Sequence, residues 1–207
     1  MSVEIEVVDL KILPSGDEIL GLRERAFFQT LTLPKRKMEW LGGRLALKKL
    51  VSAQSGATVK EIEILPQTQS GKPSLQVGGK PYEIPFSITH SHGYAVAAVA
   101  PAARYIGIDL EKIVHRMEAW KKDFFHPDEL TGEGDAFLTA LWTQKEAAVK
   151  LLGTGLTVNS FDVRCVQGKI QFFGRAQAVY EQLGAPQITL ETSSLIAGFQ
   201  FSVAVGK

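Results

Sequence analysis

The stretch Tyr105-Ile-Gly-Ile-Asp-Leu-Glu111 decides how the second half of this chain folds. Apolar residues alternate with other residues along it, which is the pattern of a β-strand with one buried face. Its apolar side chains then point to one side, and Asp109 and Glu111 point together to the other. Aspartate is disfavoured in strands, so its place inside an apolar run indicates a function.

A second informative stretch is Trp142-Thr-Gln-Lys-Glu-Ala-Ala-Val-Lys150. In a helix, a spacing of four residues places Trp142, Glu146 and Lys150 on one stripe. Two ionised carboxylates two residues apart on a strand repel by about 2 to 3 kcal/mol at an effective dielectric near 20, and a cation would remove that repulsion. The alternative is a solvated strand face beside a helix whose Glu146 and Lys150 form an ordinary i,i+4 ion pair.

These two stretches, in this order, resemble two motifs of the 4'-phosphopantetheinyl transferase superfamily in its double-length, surfactin-synthetase type. The family patterns are G-(I/V)-D-x-E and W-(S/T)-x-K-E-(A/S)-x-x-K. The matching residues here are Gly107, Asp109, Glu111, Trp142, Thr143, Lys145, Glu146 and Lys150.

Four further stretches are similar to other parts of that family. Ser70-Gly-Lys-Pro73 resembles its G-K-P motif, and Phe86-Ser-Ile-Thr-His-Ser91 resembles F-x-(I/L)-S-H-S. Phe124-Phe-His-Pro-Asp-Glu129 and Gly43-Arg44 are similar to its F-F-x-x-x-E and G-R segments. Thr89 departs from the usual serine but keeps a hydroxyl group, so we expect its contact to persist.

The resemblance implies an α+β fold made of two similar α/β halves related by a pseudo-twofold axis, with the active site in the cleft between them. We expect the halves to be residues 1–103 and 104–207, within a monomer. A faint echo between residues 93–100 and 198–205, each a glycine followed by apolar strand residues, agrees with this duplication.

The resemblance also implies transfer of 4'-phosphopantetheine from coenzyme A to a serine of an acyl or peptidyl carrier protein, with release of 3',5'-ADP. Such a displacement at phosphorus requires charge neutralisation and a base. Asp109, Glu111 and Glu146 would hold Mg²⁺, which prefers oxygen ligands. Glu146 is also a candidate general base, directly or through water, and Lys150 would neutralise a phosphate oxygen.

The first half is expected to hold the nucleotide end of coenzyme A through Arg44, Lys72, Thr89 and His90. Each has a plainer interpretation: Arg44 as a surface charge on its helix, Lys72 as a solvated turn lysine, and His90 as a residue that ends a strand. His90 and His92 could also suggest a metal pair, but the sequence offers no third ligand at a suitable spacing.

The composition bounds the class of protein. The 207 residues are 45% hydrophobic and 22% charged, which is ordinary for a globular protein. The formal net charge of +1 gives no reason to expect nucleic acid or an anionic membrane as the main partner. The single cysteine, Cys165, and an N-terminus without a basic leader pattern predict a reducing, cytoplasmic location.

Local signals predict the remaining elements that bear on the site. We expect helices over Asp17–Thr30 and from Pro34 to about Ala53, with Arg44 and Lys48 as a cationic pair away from the apolar stripe of the second helix. Helical structure is also expected around Pro127–Leu152, and a hairpin should turn at His92-Gly93.

Two other functions compete with carrier-protein modification. One is a coenzyme A-binding or interaction protein of the same fold without transferase turnover. The other is an unrelated Mg²⁺-dependent phosphoryl enzyme. The sequence contains no G-x-x-x-x-G-K-[ST], G-x-G-x-x-G or G-x-S-x-G motif to support the second.

Overall fold

The computed structural model describes residues 2–66 and 73–207, and these residues form two compact units. The first unit comprises residues 2–101 and the second comprises residues 102–207. In the described residues, no helix combines the length and the apolar character that crossing a membrane requires.

The first unit is a three-stranded antiparallel sheet with one long helix and a smaller sheet. Its elements in chain order are β1 (Glu4–Asp9), α1 (Gly16–Ile19), α2 (Leu22–Thr30), α3 (Pro34–Ser55), β2 (Ile62–Pro66), β3 (Pro73–Val77), β4 (Lys80–Pro81), β5 (Phe86–Ser91) and β6 (Tyr94–Val99). β6 lies between β1 and β5, and β2, β3 and β4 form the smaller sheet. The predicted hairpin turn at His92-Gly93 is confirmed.

The long helix α3 begins and ends where its sequence signals place it. Pro34 stands in its first turn, where no amide donor is needed, and Gly56 follows its end with φ = 74°. Its apolar face packs on β6 and β1. The predicted pairing of Arg44 with Lys48 is wrong, because Lys48 is fully buried and its ammonium contacts Glu24 at 2.5 Å.

The single helix predicted over Asp17–Thr30 is two helices. The chain leaves helical geometry at Leu20, and Gly21 caps a new start. The Gly21 N–H donates to Glu24 Oε2 at 3.1 Å, which satisfies one of the free amides at the start of α2. The helix that begins before Asp17 therefore ends at Ile19, and Gly21 caps a second helix.

The second unit repeats the plan of the first. Its elements are β7 (Tyr105–Lys112), α4 (Glu118–Phe124), α5 (Gly134–Leu152), β8 (Val163–Val166), β9 (Lys169–Phe172), α6 (Gly174–Gln182), β10 (Ile188–Ser193) and β11 (Phe199–Gly206). The helical region expected around Pro127–Leu152 is a short 3₁₀ turn at Pro127–Glu129 followed by α5.

Strand order shows that the two units share one topology. In the first unit the sheet runs β1-β6-β5, and in the second it runs β7-β11-β10. Each order is first strand, last strand, penultimate strand, and all neighbours are antiparallel. The echo between residues 93–100 and 198–205 falls on the two central strands, β6 and β11. The prediction of two similar α/β halves in an α+β fold is confirmed at the level of topology.

Candidate active site

Close contact between α5 and β7 builds the site in the second unit. A Cβ atom added to Gly107 would lie 2.0 Å from the Ala147 carbonyl oxygen and 2.3 Å from the Leu151 amide nitrogen. Only glycine permits such an approach of a strand to a helix backbone. The glycine of the first motif therefore brings the helix of the second motif onto its strand.

Buried hydroxyl groups fix the same helix from the neighbouring strand. Thr143 Oγ1 and Ser202 Oγ are 2.8 Å apart, and both residues are fully buried. Ser202 on β11 lies directly opposite Asp109 on β7. Thr143 thus ties α5 to the sheet beside Asp109, which explains a hydroxyl residue at this motif position.

Asp109 and Lys150 form the central ion pair of the site. Asp109 is 5% exposed, and its Oδ1 accepts a hydrogen bond from Lys150 Nζ at 2.7 Å. The alternative of a solvated strand face is wrong for Asp109. The hydrogen bond of Lys150 runs to the strand rather than to Glu146 one turn earlier on its own helix.

Glu146 lies in an unfavourable environment for a negative charge. Burial raises the pKa of its carboxyl group, and the neighbouring carboxylates of Asp109 and Glu111 raise it further, while Lys150 opposes them. This coupling shows that Asp109, Glu111 and Glu146 share one electrostatic neighbourhood. Ionisable groups with shifted pKa values are typical of functional sites.

A pocket of about 460 Å³ opens beside these groups, within the volume range of small-molecule sites. Trp142, Glu146 and Lys150 all line it, so the stripe predicted from their spacing is confirmed. The other lining residues are Asp123, Phe124, Lys145, Val149, Gly155, Val158, Asn159 and Ser160. The lining combines apolar side chains with four ionisable groups, those of Asp123, Lys145, Glu146 and Lys150.

The donor chemistry of the three carboxylates fits Mg²⁺. They offer only oxygen ligands, as Mg²⁺ prefers, and a divalent cation would relieve the repulsion that raises the Glu146 pKa. Over residues 2–66 and 73–207, no three His, Cys, Asp or Glu side chains are arranged as a ready-made metal centre. The Lys150 ammonium lies 2.7 Å from Asp109 Oδ1. The metal set predicted from sequence stays a prediction.

In the first unit, Arg44 is held against an aromatic ring. Its guanidinium carbon lies 3.7 Å from the centroid of the Trp40 ring. Burial lowers the Arg44 pKa to about 10, against the opposing effect of Glu24. Its Nε is buried without a hydrogen-bond partner among the described residues. These features distinguish Arg44 from an ordinary surface charge.

The other predicted nucleotide contacts lie on or near β5. Thr89 is 4% exposed, and the His90 side chain is half exposed with Nδ1 3.8 Å from Glu39 Oε1. His92 Nδ1 lies 3.0 Å from Ser91 Oγ in the hairpin turn. The described residues form no metal centre around the two histidines. Lys72 lies outside the described residues.

Sequence reasoning missed the importance of Glu129. This carboxylate is 1% exposed and contacts Lys145, which is equally buried, at 2.8 Å. The F-F-x-x-x-E motif marked Glu129 as a position of interest, but nothing local in the sequence paired it with Lys145. Lys145 also lines the pocket, so this ion pair forms part of its wall.

Comparison with known proteins places these motifs in a family. Residues 105–199 match the model described as the 4'-phosphopantetheinyl transferase superfamily. A holo-[acyl-carrier-protein] synthase from Geobacillus sp. (strain WCH70) is 34% identical over 106 residues, which are 47% of this chain and 87% of that protein.

Longer relatives match over more of the chain. A putative 4'-phosphopantetheinyl transferase from Synechocystis is 30% identical over 158 residues, which are 72% of this chain and 63% of that protein. The 4'-phosphopantetheinyl transferase psf-1 of Bacillus pumilus is 28% identical, covering 72% of this chain and 66% of its own length. The matched region thus spans somewhat less than two thirds of these relatives. With the motifs, the duplicated topology and the synthase match together, the chain belongs to the 4'-phosphopantetheinyl transferase superfamily.

Proposed function

We propose that this chain transfers the 4'-phosphopantetheine group of coenzyme A to a serine of an acyl or peptidyl carrier protein and releases 3',5'-ADP. The observation that carries the proposal is the partly buried Glu146 carboxylate, which lines a pocket together with Lys150, whose ammonium contacts the buried Asp109. Family membership supports the reaction class, and the name of the Geobacillus relative indicates an acyl carrier protein as its substrate.

The ionisable groups of the site suit displacement at phosphorus by a serine hydroxyl group. A carboxylate whose pKa is raised is a better proton acceptor than an ordinary glutamate, and burial together with the neighbouring carboxylates raises the pKa of Glu146. Glu146 would accept the serine proton directly or through one water molecule. Lys150 would neutralise a phosphate oxygen, since it lines the same pocket as Glu146.

A Mg²⁺ ion would be held by Asp109, Glu111 and Glu146. When bound, it supplies neutralisation of the pyrophosphate charge, as divalent cations do in phosphoryl transfer. Within the chain, the arrangement of Gly107, Thr143 and the α5 backbone keeps these carboxylates in one place.

The apolar pocket would take the pantetheine arm. That arm is a flexible chain with two amides and little charge, so it requires mostly apolar walls and a few polar groups. Phe124, Trp142, Val149 and Val158 provide the walls, and Asn159 offers a side-chain amide. Pockets of this composition bind ligands through burial of apolar surface and orient them through a few hydrogen bonds.

We assign the nucleotide end of coenzyme A to the half at residues 1–103, through Arg44, Lys72, Thr89 and His90, and the metal and chemistry to residues 104–207. The stacked guanidinium of Arg44, with an unused buried Nε, supports this division. A planar guanidinium binds two phosphate oxygens or stacks on a base. We further propose that the protein acts as a monomer in the cytoplasm.

Incubation with coenzyme A, Mg²⁺ and an apo carrier protein tests this function. Mass spectrometry should show the carrier gaining one phosphopantetheine group, and a carrier whose acceptor serine is changed to alanine should gain none. A coenzyme A-binding protein without turnover would bind coenzyme A in calorimetry and leave the carrier mass unchanged. A panel of apo carriers from fatty acid, polyketide and peptide synthesis would identify the substrate.

A further inference from the structure

In the second unit, the Glu129 carboxylate joins three separate segments. It accepts hydrogen bonds from Lys145 Nζ on α5 at 3.1 and 2.8 Å, from the Cys165 amide on β8 at 2.9 Å and from the His126 amide at 2.8 Å. Lys145 Nζ also donates to the Phe124 carbonyl oxygen at 2.9 Å. The long helix α5, the smaller sheet of this unit, which β8 and β9 form, and the segment before the 3₁₀ turn therefore meet at one buried carboxylate.

In the first unit, the Glu24 carboxylate joins the corresponding three segments. It accepts hydrogen bonds from Lys48 Nζ on α3 at 2.5 Å, from the Ile64 amide on β2 at 3.0 Å and from the Gly21 amide at 3.1 Å. Lys48 Nζ also donates to the Ile19 carbonyl oxygen at 2.8 Å. Glu24 and Lys48 are both fully buried.

The two clusters correspond group by group. In each, the carboxylate accepts from the amide three residues before it, the lysine comes from the long helix, and the second amide belongs to the smaller sheet. In each, the lysine also donates to the carbonyl five residues before the glutamate. We call each cluster a Lys–Glu anchor: Glu24 with Lys48, and Glu129 with Lys145.

Stability alone does not account for these anchors. A buried ion pair costs desolvation that an apolar pair of similar volume avoids, so such pairs are weak evidence for stability. A carboxylate that accepts several hydrogen bonds does fix the positions of the groups that donate them, because hydrogen bonds are directional. The anchor thus sets where its helix lies relative to the segments around it.

Each anchor lies next to groups assigned to the reaction. Lys145 is adjacent to Glu146 in sequence and lines the same pocket. Lys48 lies one helical turn after Arg44 on α3. A displacement of either helix at its anchor would therefore move the side chain that the proposed function requires.

We propose that Glu129 and Glu24 are positioning residues, in which Glu129 acts through Lys145 to place Glu146 for the chemistry and Glu24 acts through Lys48 to place Arg44 for coenzyme A binding. This inference rests on the proposed function. It predicts that chemically identical changes in the two anchors have different kinetic consequences.

Glu129→Gln and Glu24→Gln are the matched pair of variants. In each wild-type anchor both carboxylate oxygens accept hydrogen bonds from N–H groups. The glutamine NH₂ group replaces one of those oxygens and cannot accept a hydrogen bond, so the variant breaks the anchor while keeping the side-chain volume. With a saturating apo carrier protein, Glu129→Gln should lower kcat on the order of 10- to 100-fold and change the KM for coenzyme A much less. Glu24→Gln should raise that KM on the order of 10-fold and change kcat less.

Both melting temperatures are measured alongside, because a purely structural role predicts a different pattern. If both variants lost thermal stability while kcat and KM per folded molecule stayed at wild-type values, the positioning role would be overturned. It would also be overturned if the two variants changed the same kinetic constant. Should Glu129→Gln fail to fold, Lys145→Arg keeps the charge, alters the geometry and is subject to the same expectation for kcat.

A spectroscopic readout separates this inference from the proposed function. In ¹⁵N-labelled protein, Glu129→Gln should shift the indole N–H resonance of Trp142 on α5 and leave that of Trp40 on α3 in place. Glu24→Gln should shift Trp40 and leave Trp142. This pattern in a protein that modified no carrier would refute the proposed function and support helix positioning, whereas equal shifts of both resonances in both variants would refute the positioning.

Discussion

The ammonium of Lys150 lies 2.7 Å from Oδ1 of Asp109, which joins the last turn of α5 to the centre of β7. The carboxylate is buried and the lysine side chain is about one third exposed at 30%. One cation therefore faces both the strand and the pocket. Because Asp109 also raises the pKa of Glu146, it affects both of the groups that we assign to proton transfer and phosphate binding.

Asp109→Ala should abolish turnover while the fold persists. The change removes the partner of Lys150 and one proposed metal ligand, but it also removes a carboxylate that repels Glu146. Circular dichroism checks the fold, and steady-state kinetics with apo carrier checks turnover. Glu191→Ala, at an exposed position on β10, is the control. Full Mg²⁺-dependent activity in Asp109→Ala would contradict the site.

Gly107→Ala should be among the most damaging single changes in the second unit. Its new methyl group would meet helix backbone at 2.0 Å, which side-chain rotation cannot relieve, so a loss of about 3 kcal/mol or more is expected. Urea denaturation measures the loss, and kcat should fall because α5 carries Glu146.

Gly42→Ala on α3 is the matched control for this change. There the added methyl would meet Leu10 Cδ2 at 2.2 Å, the end of a flexible side chain, and alanine favours the helix by up to about 1 kcal/mol over glycine. Its loss should be clearly smaller. Equal losses at the two positions would mean that α5 does not depend on Gly107 for its contact with β7.

Glu146→Gln should make the protein more stable without Mg²⁺ while reducing its activity. Burial and two neighbouring carboxylates raise the folded-state pKa of Glu146 above 4.5, so ionisation costs the folded state more than the unfolded state. The stability of the wild type is therefore highest relative to the variant below the unfolded pKa, and it falls as pH rises through the folded pKa. Thermal unfolding in EDTA should show the stability of the variant increasing relative to that of the wild type as the pH rises above about 4.5, the ordinary glutamate value. A gap that shrinks over this range would contradict the environment described for Glu146.

Cys165 should be unreactive in the native protein. Its thiol is 2% exposed, and burial raises its pKa to about 12, with Glu129 adding to the effect. Because the thiolate is the reactive form, alkylation at pH 8 should be negligible until the protein unfolds. Urea-unfolded protein is the control and should react fully. Rapid stoichiometric labelling of the native state would show that the β8 region opens readily.

Local sequence signals predicted those parts of the fold that depend on near neighbours in the chain. The start of α3 at Pro34, its end before Gly56 and the stripe that carries Glu146 and Lys150 all follow from residue spacing or backbone geometry. The hairpin turn at His92-Gly93 followed in the same way.

The partners of the three lysines at or near the site depend on contacts between residues that are distant in the chain, which local sequence patterns do not reveal. From its local sequence, Lys48 resembles an exposed lysine. In the structure it is buried because it forms an ion pair with Glu24, which is distant in the chain. The same holds for Lys145 and Glu129. Lys150 likewise had an acceptor one turn away on its own helix, and the approach of α5 to β7 at Gly107 gave it Asp109 instead.

Carrier-protein modification is tested most directly by the mass of an apo carrier protein after incubation with coenzyme A, Mg²⁺ and either wild-type protein or Glu146→Gln at equal concentration. The wild type should add one phosphopantetheine group to the acceptor serine and release 3',5'-ADP in equal amount. Glu146→Gln should be slower on the order of 10²-fold or more, since loss of a general base alone has an effect of that size. An unmodified carrier with the wild type across the whole panel, or equal rates for the two proteins, would contradict the proposed function.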